Sequence, residues 1–204
     1  MTRLMNVVVG SLGVAALTMV MAGPAHADSG KPGQSMTHIK TIAGLTSTLE
    51  SAGVVLYSKG GATSAAIGDS LASPQGQVVF HVPITNSKNT VKHVGSTLVL
   101  FNTTNNSQVE LRNPVIDLRT GSVRAGIGAG PVATVFTITN AKKLKPAVKT
   151  DSATGVRTTT YTGAQWSFAP GIASAVSDGL GLPAGSLAEA AQFATADITL
   201  QSAS

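Results

Sequence analysis

The chain has 204 residues, 14 Lys and Arg against 9 Asp and Glu, a formal charge of +5, and no cysteine. Charged residues make up 11% of it and aromatic residues 4%. The absence of cysteine excludes disulfides and lipidated cysteines, and the mild charge with few aromatics argues against nucleic acid, which needs many phosphate-contacting cations and stacking platforms.

Arg3 is the only charge before an apolar run, Val7 to Ala22, built from apolar, Gly, Ser and Thr residues. Gly23 and Pro24 break any helix there, and Ala25 and Ala27 place small side chains at the spacing that a signal peptidase reads. Residues 1–27 therefore read as a secretory signal peptide cleaved after Ala27. The run falls short of the ~20 residues needed to span a bilayer, so the expected mature chain is secreted or extracellular and has no transmembrane anchor.

Residues 28–43, rich in Gly, Ser, Lys and Pro, read as a flexible N-terminal segment, and residues 44–204 as a single domain. Leu45 and Leu49, four apart, predict a short helix over Gly44 to Ala52. Strands then begin at Val54. From Gln77 to Thr85, Val78, Phe80, Val82 and Ile84 alternate with Val79, His81 and Pro83, the period of a half-buried strand. Thr97 to Phe101 is apolar on both faces, and the polar cluster Asn102 to Ser107 turns the chain toward Gln108 to Leu111.

Val115 to Leu118, Ser122 to Ile127, Val132 to Ile138 and Val156 to Phe168 continue the series of strands, separated by Gly, Thr and Pro turns. Ile172, Ala173, Val176 and Leu180 form a helical stripe stopped by Gly181. Ser186 and Glu189 have capping-box spacing for a second helical turn, and Phe193 to Leu200 closes the chain as a strand. The pattern predicts a mainly β fold: an antiparallel two-sheet β-sandwich with one or two short helices.

Catalysis has little to draw on. The chain has no Cys, no Gly-x-Ser-x-Gly elbow, no His-Glu-x-x-His helix and no clustered metal ligands. Gly126, Gly128 and Gly130 resemble a phosphate loop, but a strand pattern follows them where a helix would be required. The reading is therefore a non-enzyme, with an envelope hydrolase lacking a recognisable motif as the third reading. Lys142, Lys143, Lys145 and Lys149 form a surface-basic cluster suited to weak contact with an anionic cell-envelope polymer or another envelope protein. His93, beside Gly95 at a strand entrance, is the sharpest candidate ligand-facing residue. Tyr57 and Tyr161 are the only tyrosines.

The order of short motifs is informative. It comprises Gly53 to Leu56, Val82 to Thr85, His93 with Gly95 and Leu98, Leu111 with Asn113, Ile116 and Asp117, and Gly121 with Val123 and Ala125. A helix over Ala169 to Leu180 and the small residues Ala194 and Ala196 follow. This order resembles actinobacterial secreted proteins related to the haem-transport-associated (HtaA-type) domain, over about Gly44 to Leu200. The resemblance implies a two-sheet β-sandwich and, in haem-binding members, an axial Tyr supported by a His. His93 matches that His. The aromatic segment that carries the Tyr has no counterpart in Leu45 to Ala52, which leaves Tyr57 or Tyr161 as iron ligand. The sequence thus supports a secreted, non-catalytic, envelope-associated structural or interaction protein with no cofactor, and a haem or small-ligand binder as the alternative.

Overall fold

The structure is a computed structural model that describes residues 35–203 except 69, 88 and 89. The expected signal peptide and cleavage site, and residues 28–34 of the expected N-terminal segment, lie outside the described residues.

In chain order the elements are β1 (Met36–Thr41), α1 (Leu45–Ser51), β2 (Val54–Gly60), β3 (Thr63–Ile67), β4 (Gln77–Pro83), β5 (Val91–Lys92), β6 (Ser96–Asn102), β7 (Ser107–Asp117), β8 (Ser122–Ile127) and β9 (Val132–Ile138). A single 3-10 turn at Ala141–Lys143 leads to β10 (Ala147–Thr150), β11 (Val156–Phe168), α2 (Ile172–Gly179) and β12 (Gln192–Ala203). Pairing runs β2-β6-β7-β8-β9-β11-β12-β1-β4-β3, antiparallel throughout, with β5 added on β7 and β10 on β11. Hydrogen bonding is continuous along this path, so the strands form one sheet where the sequence reading expected two.

The sheet is nearly closed into a barrel. Its end strands β2 and β3 are joined by Gly60, Gly61 and Ala62, and α1 packs on β2 and β4 across the remaining seam. Strand twist curls a sheet of this width. Irregular register in β7, β8 and β11 adds bends. Gly60 must be glycine: its φ is +70°, and a Cβ there would collide with the Gly95 carbonyl.

The inward faces carry the core. Ile39, Phe80, Val82, Leu98, Leu100, Leu111, Ile116, Val123, Trp166, Ala196 and Ile198 all belong to one buried cluster. The expected alternation in β4 holds, with Val78, Phe80 and Val82 inside and His81 on the outer side. Aromatics are concentrated at one end, where Phe136 stacks on Phe193 at 4.9 Å and lies 5.6 Å from Trp166 and 5.4 Å from Phe168.

Three sequence readings change. The flexible segment does not extend through residue 43: Met36–Thr41 is an interior strand, bonded to both β12 and β4. Thr37 and Thr41 are buried beside Ile39 on its inward face, and the Thr41 hydroxyl accepts the Val78 N–H at 2.9 Å. The expected strands Gln108 to Leu111 and Val115 to Leu118 are replaced by one long strand, Ser107–Asp117, bent where the register shifts between Arg112 and Val115. The second helical turn near Ser186 does not form. Glu189 instead accepts from the Gly171 and Ser174 N–H groups (3.0 and 2.9 Å) and from the Ser174 hydroxyl (2.8 Å). It thereby caps α2, whose own N-cap residue is a glycine. Bonds from Ser174 and Gly171 hold its carboxyl below the usual range.

Candidate functional site

Register divides the barrel into two unlike ends. At the closed end lie the start of β2, the β6–β7 and β8–β9 turns, and both helices. The α2 residues Ala173 and Val176 and its C-cap Leu180 are fully buried. The Leu180 carbonyl, freed by the helix terminus, accepts from Asn102 Nδ2 (2.8 Å), Asn105 Nδ2 (2.9 Å) and Ser107 Oγ (2.8 Å). Two helices thus plug this end.

At the opposite end lie the β7–β8 turn, the β9–β10 connection and the β10–β11 hairpin. No helix covers this end among the described residues. It holds a cleft of about 290 Å³, floored by Val91, Ile116 and Leu200 and edged by Ser87, Thr90, Leu118, Arg119 and Tyr161. Tyr161 reaches it because β11 places its side chain inward, opposite Ile198 of β12. The Tyr161 phenol makes no hydrogen bond to the described residues. Arg119 is 86% exposed and only loosely paired with Asp117, at 3.8 Å. Burial raises the Asp117 pKa, but bonds from the Thr120 N–H and hydroxyl and the Arg119 N–H outweigh it, so the carboxyl sits below the usual range. A second cavity, under α1 beside Leu49 and Val78, measures only about 10 Å³, room for one water at most.

Cations outnumber carboxylates at the open end, where Asp117 and Asp151 also lie. Lys142, Lys143, Lys145 and Lys149 are all exposed at the open end. Lys149 and Arg157 lie on the projecting β10–β11 hairpin, where β10 is exposed along its whole length. Arg119 and Lys92 lie at the same end. The closed end carries Glu50 on α1, Asp178 on α2 and the capping Glu189.

The three candidate ligand residues are not brought together. Tyr161 alone lines the open-end cleft. Tyr57 lies on the outer face of β2, its hydroxyl 3.4 Å from Gln108 Oε1 and its ring 5.7 Å from the Lys59 ammonium, which itself pairs with Glu110 at 2.7 Å. His93 is 1% exposed. The β7 bend turns the Pro114 carbonyl toward it, and that oxygen accepts both the His93 backbone N–H (3.0 Å) and ring Nδ1–H (2.9 Å). A carbonyl only accepts, so Nδ1 carries the proton and Nε2 accepts from the Thr37 hydroxyl at 2.8 Å. With both nitrogens occupied, His93 does not face a ligand. It ties the β5–β6 connection to β7 and β1. Burial pushes its pKa down to about 4, against a smaller opposing effect of Pro114, so the ring is neutral at physiological pH.

A haem ligand set of Tyr with supporting His therefore does not fit these residues: Tyr57 is outside the barrel and the His93 nitrogens are spent. Among the described residues no group of three or more His, Asp or Glu side chains is gathered around a possible metal position. No helix among the described residues is long and apolar enough to cross a membrane. Sequence reasoning missed one constellation, the pairing of His38 with His81 across β1 and β4, because a gap of more than forty residues gives no local signal. Comparison of the chain with protein-family models, with curated proteins and with solved structures gave no match.

Proposed function

We propose that this protein is a secreted, non-catalytic binding protein that docks through the open end of its barrel on an anionic polymer of the cell envelope. One observation carries the reading: the segregation of Lys142, Lys143, Lys145, Lys149, Arg157 and Arg119 to the end that the helices leave uncovered. Clustered cations attract a polyanion without needing a deep pocket, and the attraction weakens as salt screens it. The leader-like residues 1–27 support export, and the ordered motifs shared with HtaA-type proteins support an envelope setting.

The test is retention of the protein on immobilised poly(glycerol phosphate) at about 0.05 M and about 1 M salt. Retention lost at high salt, and lost at low salt when the four lysines are replaced by glutamine, is the expected result. Equal retention of the wild type and the glutamine variant overturns the reading.

A second reading rests on the open-end cleft, whose apolar floor, free phenol and loosely held guanidinium suit a small acidic or phenol-accepting ligand. Haem is not that ligand in our reading. Titration with haemin should leave its Soret band unshifted at equimolar protein, and a shift abolished by Tyr161→Phe would reverse this conclusion.

A further inference from the structure

The outer wall of the barrel holds a constellation that the open end does not use. His38 of β1 pairs directly with His81 of β4, and His38 pairs on its other side with Asp197 of β12. Side chains opposite one another on one face of antiparallel strands are close enough to act on one ligand. His38 and Asp197 are exposed and His81 is half-buried.

The two imidazole rings stand 4.7 Å apart between centroids, with planes inclined at 75°. No hydrogen bond among the described residues occupies a nitrogen of either ring, in contrast with His93, where both are taken. An ion about 2.0–2.1 Å from an imidazole nitrogen lies roughly 3.2 Å from that ring's centroid. Two imidazoles bound side by side on one ion then have centroids about 4.5–5.2 Å apart. The observed spacing falls in this interval, and the steep inclination keeps the rings from stacking against each other.

Asp197 is fixed nearby, because its Oδ1 accepts the Gly163 N–H at 2.7 Å across the irregularity in β11. Its other oxygen places negative charge beside the pair without forming an ion pair with His38.

We propose that His38 and His81 form a two-imidazole site for a divalent late transition-metal ion on the outer wall of the barrel, with water completing the coordination. Imidazole ligation and the order of divalent affinities place Cu2+ first, followed by Ni2+ and Zn2+. The site lies on the barrel wall and does not depend on the open end or on polymer binding.

The test is titration with Cu2+ of the full chain carrying His26→Gln, which removes the one histidine outside the described residues, followed by electron paramagnetic resonance. One Cu2+ per chain with superhyperfine coupling to two imidazole nitrogens is expected. His38→Gln and His81→Gln should each weaken binding tenfold or more and leave the circular dichroism unchanged. Asp197→Asn should weaken it by a smaller factor. Unchanged affinity in either histidine variant, or coupling to fewer than two imidazoles, overturns the proposal.

Discussion

The two ends of this barrel are made from the same strands but solve different problems. The closed end gathers four aromatic rings, two helices and a helix-terminal carbonyl held by side-chain donors. The open end offers a cleft, exposed cations and a hairpin exposed along β10. The contrast separates stability from binding: the aromatic core and the buried helix lie at one end, and the clustered positive charge lies at the other.

Removing a ring from the closed end should have the largest effect. Phe136→Ala empties the centre of the aromatic cluster and should cost about 3–5 kcal/mol in denaturant unfolding, whereas Tyr161→Phe at the open end should cost under about 0.5 kcal/mol. Similar losses for the two would erase the distinction between the ends.

Acid should reveal the next effect. The unfolded chain protonates His93 near its ordinary value of 6.5, while the folded chain holds it neutral down to about 4. Its stabilising effect is thus complete above pH 6.5 and is lost as pH falls toward 4, by a total on the order of 3 kcal/mol. His81, also lowered, adds a smaller effect of the same sign. Unfolding free energies measured between pH 7 and pH 4 should show this slope, and His93→Gln should flatten most of it; a slope unchanged in that variant would show that another group carries it.

A smaller loss is expected from Asn102→Ala. It removes one of three donors to the Leu180 carbonyl, the most buried one, and should cost about 1–3 kcal/mol. Asn105→Ala, nearer the surface, should cost less, and chemical denaturation of both variants ranks them. Smallest of all, replacing Lys142, Lys143, Lys145 and Lys149 by glutamine should change stability by no more than about 0.5 kcal/mol while abolishing retention on the anionic polymer. A large stability loss there would make the cluster part of the scaffold.

How far the fold was legible follows from the side chains involved. β4 was readable because its alternation is strong, β11 because it is Thr-rich and β-branched, and α2 because its stripe ends at a glycine. β1 was missed because two of its three inward residues are threonines, polar by composition but bonded once inside. β3 and β10 were missed because nearly all their residues are exposed, which removes the burial pattern that marks a strand. Glu189 was assigned to a helix of its own, since spacing suggests a capping box but cannot say that a more distant helix lacks a cap.

The candidate site was readable only in part. The lysine cluster and Tyr161 were named from sequence, and the structure places them at one end. His93 was named too, yet the bend at Pro114 directs a carbonyl onto its ring and makes it a buried tie. The His38–His81 pair left no trace in the sequence.

Composition and periodicity by themselves determined a mainly β chain without disulfides, two helices and a local excess of lysine, because each of these is written in neighbouring residues. Only the tertiary structure decided that the strands make one nearly closed barrel, which end is plugged, and which histidines keep free nitrogens. Those outcomes depend on pairing between strands far apart in the chain, and on which carbonyl or hydroxyl the closed sheet brings to each ring.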